Sequence, residues 1–275
     1  MSYPFDEDFA HIEWAYDGLE KLILNPVPPL QHITGNESHY VLFDEAYRLG
    51  GCENKFWDGV KSTARRLFEQ IQDMLKRIRD FFFGEGEDTA KASLDKAMNS
   101  VTAMMKLGGS APIPADSPMR DPDTYIRPLE GGVEFEEVKE ENRALATSIA
   151  KVKSIAQNVK NADTVAKLRA VYADMGKAAS AGINSVTVAL KPTLSKAEKA
   201  AAKLRNIKLP KDNDPGEVSD AIRMEYSQNS KEAKDLTKKA RIIGGVRNKF
   251  VGTLNQISAQ SRHVKDNPPK SKFRG

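Results

Sequence analysis

The chain has 275 residues, with 42 Lys and Arg against 38 Asp and Glu, a net charge of +4, 40% hydrophobic side chains and a mean hydropathy of −0.53. This length allows one or two domains. No run of about 18 uncharged apolar residues exists, which excludes a spanning helix, and the single cysteine, Cys52, excludes an intrachain disulfide or a cysteine-rich metal site. The first 25 residues are acidic and lack a basic start, so no secretory signal is expected and a reducing compartment is. The net charge averages two opposites. Residues 1–145 carry 16 basic and 27 acidic side chains, and residues 146–275 carry 26 and 11. Such asymmetry points toward nucleic acid, an anionic surface or head-to-tail self-association.

In chain order, Phe5, Phe9, Ile12, Tyr16, Leu19 and Ile23 recur at helical spacing and predict an amphipathic helix over 5–24. Asn25-Pro26-Val27-Pro28-Pro29 ends it, because proline lacks the backbone donor and restricts its predecessor. A short helix over 38–49 runs into Gly50-Gly51, and the most periodic helix follows at 54–83. Gly84-Glu85-Gly86 stops that one, and Asp88-Thr89 is expected to cap a helix to Lys106. Residues 108–132 gather five prolines and four glycines, which predicts a linker or extended arm. Beyond it, a helix over 134–160 breaks or kinks at Asn161-Ala162-Asp163 and resumes through Leu190, weakened at Gly176 and Gly182. Pro192 is expected to start a new segment ending at Leu209-Pro210. A final helical region spans 217–262, interrupted at Gly244-Gly245. The predicted fold is mainly α: an acidic N-terminal module (1–107), the arm (108–132), an elongated basic module (133–262) and a basic tail (263–275).

Signs of catalysis are sparse. His11, His32, His39 and His263 form no HExxH pair, and the glycine pairs form neither GxxxxGK[ST] nor GxGxxG. His32 and His39 lie seven residues apart across a Gly-Asn turn and read as loop residues rather than metal ligands. Cys52 has no base at a recognisable spacing. The clusters Asp6-Glu7-Asp8 and Glu134–Glu141 open helices, where carboxylates favour the dipole. No enzyme, cofactor or metal is expected.

Two features suggest binding. The helix over 54–83 sets Phe56, Val60, Leu67, Ile71, Leu75, Ile78, Phe81 and Phe82 on one face, Trp57 near one end, and Lys61, Arg65, Arg66, Lys76, Arg77 and Arg79 on the other. That pattern suits a core helix with basic side chains reaching solvent, a partner groove, or a membrane surface. Glu69, Asp73 and Asp80 count against a membrane. In the basic half, Lys196, Lys199, Lys203, Arg205, Lys208 and Lys211, then Lys231, Lys234, Lys238, Lys239, Arg241, Arg247 and Lys249, are candidates for non-specific contact with double-stranded DNA phosphates. Isolated Tyr226 and Phe250 offer no stacking platform for single strands.

The segment Lys55-Phe56-Trp57-Asp58-Gly59-Val60-Lys61, continuing through Leu67 to Asp80-Phe81-Phe82-Phe83-Gly84, resembles internal head and minor structural proteins of large tailed bacteriophages. The likeness covers residues 40–86. It implies a multi-copy virion component made in the host cytoplasm and held inside the capsid, contacting DNA or other virion proteins. Proteins of that kind are sometimes trimmed after a glutamate, and Leu129-Glu130-Gly131-Gly132 is similar to such a site, although the apolar residue directly precedes Glu130 instead of standing two places before it. A membrane-active or ejected protein, and a host-directed effector, remain as alternatives.

Overall fold

A computed structural model describes residues 6–24, 37–50, 56–130, 133–206 and 219–266, and the fold is mainly α. The helices are α1 (Asp6–Leu24), α2 (Glu37–Gly50), α3 (Phe56–Phe83), α4 (Glu85–Ala103), α5 (Asp123–Ile126), α6 (Val133–Val138), α7 (Arg143–Gln157), α8 (Val165–Arg205) and α9 (Asp220–Asp266). The first three match the apolar periodicity closely. Asp88-Thr89, by contrast, does not cap α4. The helix begins three residues earlier after Gly84, which offers no side-chain cap, and Thr89 instead donates to the Glu85 carbonyl.

The two long helices run through positions that were expected to break them. Pro192 lies inside α8. A proline deprives the carbonyl four residues earlier of its donor, and here that carbonyl belongs to Val188, 75% exposed, where water can satisfy it. Gly244-Gly245 lies within α9, flanked by buried Ile243 and Val246. Packing outweighs the glycine penalty.

The chain divides into two compact bodies, each assembled from distant segments: Met1–Asp80 with Lys191–Arg241, and Phe81–Leu190 with Ile242–Gly275. This partition differs from one drawn at a central linker. In the first body, Phe9, Ile12, Tyr16 and Leu19 of α1, Val60, Leu67, Ile71, Leu75 and Ile78 of α3, Leu194, Ala197 and Leu204 of α8, and Tyr226, Ala233 and Ala240 of α9 are buried. Alanines on α8 and α9 allow the close approach that large side chains would prevent.

Residues 108–130 belong wholly to the second body. Ile113 N–H donates to the Asp163 carbonyl at 2.7 Å, while Val165 and Ala166 N–H donate to the Ala111 and Gly109 carbonyls, each at 3.0 Å. Arg120 reaches the Lys160 carbonyl, and Ile113, Met119, Tyr125, Ile126 and Leu129 are buried. Proline lowers the entropy lost on ordering an extended strand of chain, so a Pro-rich composition is compatible with this packed segment.

Gly182 is required by a close approach. A β-carbon there would overlap the ring of Phe250, which is fully buried. At Gly245 a β-carbon meets nothing within 4 Å. Gly245→Ala therefore gains helix propensity, about 0.5–1 kcal/mol of stability, whereas Gly182→Ala costs about 1–3 kcal/mol by overpacking. Thermal unfolding of the two variants should shift the midpoint in opposite directions. Equal shifts would contradict the packing at Phe250.

Candidate nucleic-acid interface

The C-terminal part of α8 turns alanines and leucines inward and lysines outward. Ala197, Ala200, Ala201 and Leu204 are buried, and Lys196, Lys199 and Lys203, spaced by three and four residues, share the exposed face. Lys203 Nζ contacts Glu232 Oε2 of α9 at 3.0 Å, and Arg205 lies 3.9 Å from Glu69. Lys196 and Lys199 make no ion pair with a described residue. Neither does Lys231 on the exposed side of α9.

The remaining basic candidates that are described are engaged or interior. Lys234 sits half-buried against Asp17 and Glu20, with Ser230 Oγ donating to Glu20 at 3.3 Å. Burial pushes the Lys234 ammonium down, but hydrogen bonds to Asp17 and Glu20 overcome this and hold it above the usual lysine range. Lys238, Lys239, Arg241 and Lys249 are half-buried and have interaction partners of their own. Lys208 and Lys211 lie outside the described residues. Arg247, expected at a DNA contact, is instead buried. It donates to the Phe82 carbonyl and, at 3.0 Å, to Thr187 Oγ1, with its guanidinium 5.2 Å from the Phe82 ring centre. A charged group on a regular helical pattern reads as surface until a carbonyl and an aromatic face are placed beside it.

Several of these contacts join the acidic half of the chain to the basic half: Asp17 and Glu20 with Lys234, Glu69 with Arg205, and Arg79 with Glu198 at 2.9 Å. The first body, built from both halves, holds 22 basic and 22 acidic side chains. Charge segregation along the chain thus becomes balance within the fold. Each exposed pair contributes only about 0–1 kcal/mol, so the balance lowers self-repulsion more than it adds stability.

The apolar face of α3 is not free for a membrane or groove. Val60, Leu67, Ile71, Leu75, Ile78 and Phe82 are buried and Phe81 is half-buried, while the side chains of Phe56 and Trp57 lie outside the described residues. Most of its basic face is paired, Arg65 with Glu69, Arg66 with Glu45 and Arg77 with Asp8, while Lys76 is exposed and makes no ion pair with a described residue. No described helix is long and apolar enough to cross a membrane.

Among the described residues no group of three His, Cys, Asp or Glu side chains could hold a metal. His11 and His263 are exposed; His32, the His39 side chain and Cys52 lie outside the described residues. Glu130 is exposed, and Gly131 lies outside them. Within the first body, α1 and α3 border an open groove of about 740 Å³ that includes His11, Met74, Asp80 and Trp14, which is 39% exposed. The signal for it was Trp14, an aromatic standing off the apolar stripe of α1.

Compared with protein-family models, with curated proteins and with solved structures, the chain matches none.

Proposed function

We propose that this protein is a non-catalytic helical component of a virion, of the internal-head or capsid-associated kind, which contacts packaged double-stranded DNA without reading its sequence. The observation that carries the DNA contact is the exposed Lys196–Lys199 pair on one face of α8, neither lysine committed to a described carboxylate, with Lys231 exposed on α9. The resemblance of residues 40–86 to minor structural proteins of tailed phages supports the setting. Lysines spaced along a helix face meet phosphates as point charges, which gives affinity without base readout.

The full chain is the material to test, because a 133–275 fragment would cut through both bodies. Three phosphate contacts predict that log K falls with log salt at a slope of about −2.7 or steeper. The double variant Lys196→Gln/Lys199→Gln should flatten that slope by about 1.8. Salt-independent or absent binding to a DNA duplex would overturn the DNA contact. Mapping the protein to a site in purified particles, or finding it missing from them, decides the virion setting.

A further inference from the structure

A second polar groove, of about 610 Å³, lies within the second body between α4 and α9. On α4, Lys96, Asn99 and Ser100 recur at helical spacing on one face. On α9, Ser258, Ser261 and Arg262 do the same, and the Ser100 and Ser258 hydroxyls meet at 3.3 Å across the junction. Lys96 and Arg262 are exposed, and neither pairs with a described carboxylate, although Asp95 also borders the groove.

Ser261 is the informative residue. It is 1% exposed, and its hydroxyl makes no hydrogen bond to a described residue. Other helical hydroxyls in this protein turn back to the carbonyl four residues earlier: Ser100 to Lys96 at 2.8 Å, Ser148 to Ala144 at 2.9 Å, Ser185 to Ala181 at 3.0 Å. A buried hydroxyl without a partner is costly, and native structures rarely keep one without a reason. Here it borders a groove flanked by two uncommitted cations.

We propose that this groove binds a phosphodiester of a nucleic-acid backbone, with Lys96 and Arg262 on the phosphate oxygens and Ser261 and Asn99 donating hydrogen bonds. Charge selects the diester. The lining carries two positive groups and one negative, which matches a single negative charge; a phosphate monoester, at about −1.5 to −2 near neutral pH, would face Asp95 with excess charge. The guanidinium of Arg262 suits two-oxygen recognition, which a lysine at that place would not supply. The inference rests on the DNA-contact reading, but it locates a contact that the basic stretches of sequence do not contain.

The test uses the full chain and a labelled DNA duplex of about 20 base pairs in about 50 to 200 mM salt. Lys96→Gln/Arg262→Gln should weaken binding at least about tenfold at the lowest salt and flatten the salt slope by about 1.8, as expected for two lost charge contacts. Ser261→Ala should weaken binding several-fold without changing the slope, and it should not lower the melting temperature, since it removes a hydroxyl that has no partner among the described residues. If the double variant, folded by circular dichroism, binds with unchanged affinity and slope while Lys196→Gln/Lys199→Gln does not, the groove proposal fails and the DNA reading stands. If the unmodified protein does not bind DNA, both fail. Binding of a poly-glutamate peptide that the Lys96→Gln/Arg262→Gln variant loses, with duplex binding unchanged in that variant, would assign the groove to carboxylates and overturn the proposal.

Discussion

Above about pH 10, each body should lose stability steeply, by about 2.7 kcal/mol for every further pH unit. Among the described residues, each contains two fully buried tyrosines: Tyr16 and Tyr226 in the first, Tyr125 and Tyr172 in the second. Burial pushes all four hydroxyls well above the ordinary tyrosine value. At Tyr125 a hydrogen bond with Tyr172 works against the rise, and at Tyr226 the nearby Glu20 carboxylate adds to it. An unfolded tyrosine releases its proton near pH 10. Over the pH range where the unfolded chain has lost these protons and the folded chain has kept them, stability falls by about 1.36 kcal/mol per pH unit for each tyrosine. Below pH 10 the contribution is present in full. Lys234, with its raised value, acts in the same direction in the first body. Urea midpoints from pH 8 to 11, read beside tyrosinate absorbance, measure the slope. Tyr172→Phe should flatten it by one proton's worth, and a midpoint constant through pH 11 would rule out the buried hydroxyls as described.

Replacing Arg247 by alanine should cost about 3–5 kcal/mol, the range for removing one member of a buried polar cluster together with its packed stem. The guanidinium meets the carbonyl of Phe82 in the last turn of α3, where the helix dipole favours a cation. It also lies over the Phe82 ring, itself edge-on to Phe81 at 5.7 Å. Gly86 makes room for it, since a β-carbon there would come within 3.2 Å of the guanidinium. At about 2–4 °C per kcal/mol, the melting temperature should fall by about 6–20 °C. Arg247→Met keeps much of the stem and loses the donors, so it separates packing from hydrogen bonding. If Arg247→Ala melts within a degree of the parent, the residue is not the anchor these contacts describe.

The helical character of the chain and the ends of α1 and α3 were legible because both depend on local spacing and on Pro or Gly just beyond the helix. The breaks expected at Pro192 and Gly244-Gly245 did not occur: Val188, whose carbonyl Pro192 leaves without its helical donor, is an exposed residue, and side chains on both sides of the glycine pair are buried. Both compensations come from residues outside the local pattern. The burial within residues 108–130 was not legible for a related reason. Pro and Gly report how a chain can turn, while the burial of Tyr125 and Ile126 is decided by segments far along the sequence, such as Thr253 Oγ1, which donates to the Tyr125 carbonyl at 3.1 Å. The basic list was harder still. Lys196 and Lys234 look alike in sequence, and only the arrival of Asp17 and Glu20 distinguishes an available charge from a committed one. Arg262 gives no signal in the sequence, because a single arginine makes no run.

The interleaving of the two bodies has a consequence for synthesis. The first body opens with residues 1–80 and resumes at Lys191, ending at Arg241, about 160 residues after its opening segment. At about 5–20 residues added per second, that segment leaves the ribosome roughly 8–32 s before its last partners exist. During that delay the apolar faces of α1 and α3 have no completed core to enter, and contacts this distant form late in any folding route. The second body waits as well, because its closing segment begins at Ile242, within α9. A ribosome that stops before α9 releases a chain in which both bodies are open, and only translation through the last helix closes either one.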